Sequence, residues 1–287
     1  MKKAVFIIIL APASLCVLIF FSYFSFIDNK LHIVVCNVGQ GDAIFITTPS
    51  QAQILIDGGP DKSVLDCLGR HMPFWDRSLD AVILTHPHAD HLTGLLDIVD
   101  RYNLSTYYSA NTPADSKVYE LLRAKLADKK VSAKELHKGR RIADMSGLTL
   151  RILYPSLEVS RKADLNKSNL DLNSLSIVSF ITYGNFSALL TGDAEGKILD
   201  DLSSEAGDID FLKVPHHGSK AGMSDYLLNS TKPELAIISV GKKNRYGHPS
   251  GLSLDLLKKH KVKILRTDVD GEVEIVSDGK SYFVKTK

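Results

Sequence analysis

The stretch Thr85-His86-Pro87-His88-Ala89-Asp90-His91-Leu92-Thr93-Gly94 places three imidazoles and one carboxylate within six positions. Ala81–Leu84 before it is a short apolar run that reads as a buried strand, and Leu92, Leu95, Leu96 and Val99 after it fall at helical spacing. The cluster therefore sits where a strand hands over to a helix, facing a cleft. On an extended backbone His86 and His88 point to one side, because side chains alternate with period two, and the turn that follows aims Asp90 and His91 at a neighbouring point. That is half of a two-metal site in ligand chemistry. A plain helix N-cap would explain one of these residues, not all four.

Other strand-like runs also end in polar, ligand-capable loops. Gln53–Ile56 leads into Asp57-Gly58-Gly59, Ser187–Leu190 into Thr191-Gly192-Asp193-Ala194-Glu195, and Phe211–Val214 into Pro215-His216-His217-Gly218-Ser219. Leu235–Val240 leads into Gly241-Lys242-Lys243-Asn244-Arg245-Tyr246-Gly247-His248-Pro249. A strand scaffold that presents polar loops on one side is a site builder. Asp57 reads equally as a turn residue or as an acceptor that orients a metal-bound histidine. A charged amphipathic helix is predicted over Ser116–Lys130, and Ser156–Leu172 reads as a polar loop near the site mouth. His71 and His137 have no ligand partners at hand and read as structural or exposed.

Ala4–Ile27 contains no charged residue and follows Lys2 and Lys3. As a helix it is about 36 Å long, enough to cross a bilayer. No small-x-small cleavage site stands at its far end, so an uncleaved anchor is expected rather than a signal peptide. The two lysines place the N-terminus in the cytoplasm and the rest outside the cell membrane, as a single-pass protein. Residues 1–30 then form the anchor and linker, and residues 31–287 the folded domain. Without Lys2 and Lys3 the chain has 33 basic and 33 acidic residues, so net charge does not indicate a strongly basic nucleic-acid binder. Three cysteines make no disulfide framework, and Cys36 and Cys67 read as small buried residues.

Taken together, Leu55–Gly59, His86–His91, Leu190–Asp193 and Pro215–Gly218 resemble the metallo-β-lactamase fold. More closely, Val38-Gly39-Gln40-Gly41-Asp42-Ala43, Lys213–Ser219 and Ser239–Pro249 are similar to the ComEC-type hydrolase domains of competence DNA uptake. The resemblance spans residues 31–287 and implies an α/β fold, a four-layer αββα sandwich behind the N-terminal transmembrane helix. It implies two divalent cations, Zn²⁺ or Mn²⁺, with His86 and His88 on the first and Asp90 and His91 on the second. Asp193 would bridge them, and His216 or His217 would complete the second centre. Two positions depart from the pattern. No histidine stands between His137 and Asp193, where the wider family has a third ligand to the first cation. Asn173, in Asn173-Ser174-Leu175-Ser176-Ile177, is either a weak oxygen ligand there or a loop residue. Asn37 stands where the ComEC-type pattern has Asp, and Asp42 reads as a turn residue near the site that, like Asp57, would back the ligands.

The implied reaction is phosphodiester hydrolysis by a nuclease acting on single-stranded DNA during uptake or processing, with Asp90, Asp193 and His248 at the chemistry. Lys242, Lys243 and Arg245 are candidates for phosphate oxygens or simply a solvated basic loop. With one membrane segment the chain is expected to be a tethered hydrolase beside a separate DNA-uptake channel protein. Rival readings are a cell-surface phosphodiesterase for teichoic-acid or phosphorylcholine groups, and a non-catalytic metal-binding accessory module. A β-lactamase fits poorly, since the third histidine is missing and no cysteine follows Cys67.

Overall fold

Strand alternation builds the layers. Ile33 and Val35, Ile44 and Ile46, Ile54 and Ile56, and Ala81 and Ile83 share one apolar cluster with Ala188, Leu190, Phe211, Leu235 and Ile237. Their strand neighbours Val34, Phe45, Leu55 and Val82 join a second cluster, and Leu189, Leu212, Ala236 and Ile238 a third. These central strands are thus apolar on both faces, which requires both faces to be covered. The computed structural model describes residues 28–110, 112–113, 116–165 and 171–287. The transmembrane helix expected on residues 4–27 lies outside them, and among the described residues no helix is long and apolar enough to cross a membrane.

The first sheet contains β1 (Leu31–Val35), β2 (Ile44–Thr47), β3 (Gln53–Ile56), β4 (Ser78–Leu84), β5 (Asn103–Ser109) and β6 (Ser132–Glu135). The second contains β7 (Arg141–Ala143), β8 (Thr149–Tyr154), β9 (Val178–Tyr183), β10 (Phe186–Leu190), β11 (Phe211–Lys213), β12 (Leu235–Ile238) and β13 (Lys263–Arg266). β14 (Val273–Ser277) and β15 (Tyr282–Thr286) return to the first, giving the orders β15-β14-β1-β2-β3-β4-β5-β6 and β13-β12-β11-β10-β9-β8-β7. Helices α1 (Ser63–His71), α2 (Ala89–Arg101) and α3 (Lys117–Asp128) bury Leu68, Leu95 and Leu122 against the outside of the first sheet. Past α4 (Leu157–Leu165), helices α5 (Gly196–Ala206), α6 (Asp225–Thr231) and α7 (Gly251–Lys259) bury Leu199, Leu228 and Leu257 against the second. The result is the four-layer αββα sandwich.

β3 runs parallel to β4, and β10, β11 and β12 run parallel to one another, so each group's C-terminal ends open on one edge. The loops after these strands and after β1 build the site. The β1 loop is held down by close backbone contact: a Cβ on Gly41, at φ +145°, would lie 2.1 Å from the Asp90 carbonyl oxygen.

Two expectations need correction. Part of the stretch read as a loop near the site, Leu157–Leu165, is the helix α4; the Ser156 hydroxyl accepts from the Val159 N–H at its start and Ala163 is buried. Cys36 and Cys67 are not merely small core residues: they form a disulfide with Cα atoms 5.8 Å apart. The odd cysteine count hid a pair 31 residues apart that packing brings together, where the end of β1 passes under α1.

Candidate metal centre

The strand-to-helix junction is set by β4, which ends at Leu84, and by α2, which begins at Ala89 with His88 at its N-cap. Thr85, His86 and His91 are buried, and Asp90 is partly exposed. Across the cleft, Asp193 follows β10 and is buried. Its Oδ2 lies 3.3 Å from His91 Nε2, 3.7 Å from His217 Nε2, 3.7 Å from His216 Nε2 and 3.8 Å from His86 Nε2. One carboxylate oxygen thus faces four imidazoles. His217 Nε2 is also 3.4 Å from Asp90 Oδ2, and His86 Nε2 is 3.0 Å from His88 Nδ1.

The remaining ring nitrogens are tied down. His91 Nδ1 donates to Asp57 Oδ2 at 2.8 Å, and His217 Nδ1 donates to the Ser239 carbonyl at 2.9 Å. His216 Nδ1 donates to Glu195 Oε1 at 2.6 Å. Asp57 also takes the Thr85 N–H and hydroxyl, both at 2.7 Å, and that hydroxyl lies 3.1 Å from His86 Nδ1. Asp57 therefore contacts His91 directly and His86 through Thr85, the contacts of an orienting acceptor rather than of a plain turn residue. Fixing Nδ1 as the donor leaves Nε2 as a lone pair aimed into the cleft.

Asp42 is more than a turn residue. Its Oδ2 pairs with the Lys213 ammonium at 2.7 Å, and its Oδ1 is 3.5 Å from His217 Nδ1. Lys213 is completely buried and also donates to the Val214 carbonyl. Asn37 stays out of the cavity, exposed, accepting from the Gly39 N–H at 3.5 Å.

Both His216 and His217 reach Asp193 because the backbone is left-handed at each, φ 46° and 54°. The period-two rule for extended chain therefore does not apply to this pair. His217 is the buried one, facing Asp90 and Asp193; His216 is partly exposed and held by Glu195. The Asn173 Oδ1 is buried without a partner and lines the same cavity.

Without a cation the carboxylates and imidazoles draw one another toward their charged forms, so a bound cation would take the place of the proton on His217. Burial pushes the Asp90 carboxyl up, but His217 and His91 outweigh it and bring it down to about 2. Asp193 is likewise held well below the carboxylate range, its burial overcome by His91, His217 and His86. Burial, then His91, depresses His86 well below its ordinary value. Burial opposes charging of His217, yet Asp193, Asp42 and Asp90 raise it to about 10.

The buried atoms without hydrogen-bond partners include His91 Nε2, His217 Nε2 and Asp193 Oδ1. Orphaned acceptors converging on one point are costly unless something electropositive joins them. His86, His91 and Asp193 form one set of mutually close donors, and Asp90, His91 and His217 another. The residues fit a divalent cation, and His88, 3.0 Å from His86, stands beside the first set.

A cavity of about 330 Å³ opens over these groups, lined also by Gln40, Tyr246 and His248. His248 lies with its ring 5.5 Å from that of His216 and 5.8 Å from Tyr246, which stacks on it. Lys242, Lys243 and Arg245 are exposed and do not line the cavity; the Arg245 guanidinium instead lies 5.4 Å over the Tyr246 ring. Tyr246, Lys213, Thr85 and Glu195 carry no role in the sequence reading, although all four stand in stretches it singles out.

Residues 52–218, more than half of the chain, match the beta-lactamase superfamily domain. The chain is 28% identical to ComE operon protein 3 of Bacillus subtilis over 93% of its own length, and 32% identical to Recombination protein 2 of Haemophilus influenzae over 83%. It spans only 36% and 28% of those two proteins. In structure it resembles the metallo-beta-lactamase fold protein YhfI from Bacillus subtilis, at 15% identity and TM-score 0.54, covering 82% of this chain and 96% of that one. The chain belongs to the beta-lactamase superfamily, and its site is that of a metal-dependent hydrolase of the metallo-β-lactamase fold.

Proposed function

We propose that the protein hydrolyses phosphodiesters, acting as a nuclease on single-stranded DNA at the outer face of the cell membrane. The observation that carries this reading is the pairing of a two-centre donor set with an aromatic and cationic rim. Tyr246 and His248 line the cavity, and Arg245, Lys242 and Lys243 stand exposed on the same loop. When bound, two divalent cations, Zn²⁺ or Mn²⁺, lower the pKa of a water and neutralise charge on the attacked phosphate. Asp193 would be shared by the two donor sets, Asp57 holds His91, and the Ser239 carbonyl holds His217. His248, whose Nδ1 is buried and unpartnered, is placed to hold or pass a proton at the departing oxygen. Tyr246 offers a face for a base, and the Arg245 and lysine charges suit the next phosphates along a strand. Relatives named for recombination and, at 26% identity, the Competence protein ComA of Neisseria gonorrhoeae support DNA as the substrate. The buried Cys36–Cys67 disulfide supports an oxidising, extracytoplasmic compartment, since such bonds are rare in the cytosol. A separate channel protein would then carry the strand across the membrane.

The test takes the full chain in detergent with Mn²⁺ or Zn²⁺ and compares labelled single-stranded DNA, bis-p-nitrophenyl phosphate, a phosphorylcholine ester and nitrocefin. Cleavage of the DNA, lost in Asp90→Ala and Asp193→Ala, is the expected result. Turnover of only the phosphorylcholine ester would replace the nuclease with a surface phosphodiesterase, and metal binding without any turnover would make the chain an accessory module.

A further inference from the structure

The end of the sandwich opposite the metal centre carries an unusual set of side chains. β1, β3 and β4 finish at the site, so the start of β1 and the loop before β4 lie at the other end. Here Phe74 is 71% exposed, Trp75 39%, Met145 100% and Phe283 48%. The connections agree on this placement. Asp28 and Pro73 line one cavity, and Gln53 at the start of β3 donates to Asp76 in the loop that carries Trp75. Ser50, in the β2–β3 turn, donates to Asp144, next to Met145. Lys30 and Lys285 both lie over the Phe283 ring, at 5.7 Å and 5.5 Å.

Asp28 directly follows the uncharged run Ala4–Ile27. The point where the chain leaves that run is therefore the same end that exposes two phenylalanines, a tryptophan and a methionine. Exposed large apolar side chains gathered at one end mark an interaction surface. Aromatic rings with lysines beside them are the composition of a membrane–water interface, where ring bodies sit at headgroup level and ammonium groups reach phosphate. Several acids here are engaged locally: Asp76 accepts from the Ser78 N–H, Asp144 from Ser146 and Asp278 from Ser281, and Asp28 and Glu274 pair with His32.

We propose that Phe74, Trp75, Met145 and Phe283 form a lipid-docking face that seats the domain on the bilayer and points the metal centre away from it. The proposal rests on the reading of residues 4–27 as a membrane anchor. A tethered domain without such a face would tumble on its linker; with it, the cleft opens toward whatever arrives from outside.

Trp75 is the sole tryptophan of the chain, so its emission reports this surface alone. The full chain is reconstituted into phosphatidylethanolamine–phosphatidylglycerol vesicles, with and without lipids brominated near the headgroup end of the acyl chain. Flotation is measured first. Co-flotation at high salt with at least about twofold quenching of Trp75 by bromolipid is the expected result. Phe74→Ser and Phe283→Ser should each weaken that quenching while phosphodiester turnover stays unchanged. Co-flotation with no bromolipid quenching would overturn the docking face and leave the anchor standing. Failure to float would remove the anchor, and the docking face with it.

Discussion

Replacing Lys213 with Met isolates one buried charge. The Lys213 ammonium and the Asp42 carboxylate are 2.7 Å apart, and their side chains are 0% and 3% exposed. Burial pushes Asp42 toward the neutral form, and Lys213 is the foremost group opposing it. In Lys213→Met the carboxylate loses its ammonium and keeps its 3.5 Å approach to His217 and the more distant His91. Removing one partner of a buried pair costs about 3–5 kcal/mol. For a domain of this size that corresponds to about 6–20 °C in Tm. Removing both, in Lys213→Met/Asp42→Leu, should recover most of the loss, because a buried pair contributes little net. Calorimetry of the four proteins in EDTA closes the cycle. A single variant within about 0.5 kcal/mol of the parent, or a coupling energy near zero, would refute the pairing argument.

Four further outcomes follow from other parts of the molecule. Breaking the disulfide with Cys36→Ser/Cys67→Ser removes a 31-residue closure and should destabilise the domain by about 3–4 kcal/mol; denaturation with and without reductant checks it, and free alkylatable Cys36 in protein isolated from cells would contradict the compartment. Glu274 is pushed up by burial but drawn to about 2 by His32 and Lys285, while His32 is raised above its ordinary 6.5 because Glu274 and Asp28 outweigh its burial. The Glu274 contribution is therefore present above pH 4.5 and lost as pH falls toward 2, and the His32 contribution is present below pH 6.5 and lost as pH rises through its folded value; the Tm difference between wild type and Glu274→Gln should peak between those limits. Tyr246→Ala should raise KM for single-stranded DNA by the equivalent of about 1–3 kcal/mol and leave bis-p-nitrophenyl phosphate unaffected, with Tyr246→Phe close to wild type. Saturating cation at about 100 times its Kd should stabilise the chain by about 2.7 kcal/mol, a gain absent in Asp193→Ala.

The ligands closest together in sequence were the most legible. His86, His88, Asp90 and His91 declare a metal site because their spacing and the strand–helix junction are local properties. Asp57 is open in the sequence, since an Asp before two glycines is equally a turn; only its contact with His91 on α2 favours the orienting role. Lys213 was passed over because a lysine at a strand end is ordinarily solvated, and its partner Asp42 is far away in the chain. The sequence leaves His216 and His217 as alternatives, whereas the left-handed backbone turns both toward Asp193, a conformation that nothing in the local residue types demands. The layered fold was legible from apolar runs ending in polar loops. α4 was not, because Ser156–Leu172 carries few apolar residues and its helix rests mainly on a capped start and one partly buried face.

The central claim is that one carboxylate, Asp193, joins two cation positions. Its most direct test is the metal content per chain, by plasma mass spectrometry, of wild type, Asp193→Ala and Asp90→Ala after loading with Zn²⁺ or Mn²⁺ and removal of the free ion. The account predicts close to two ions per wild-type chain, about one in Asp90→Ala, and a loss at both positions in Asp193→Ala. A wild-type chain that holds a single ion, or an Asp193→Ala variant that keeps both, would contradict it.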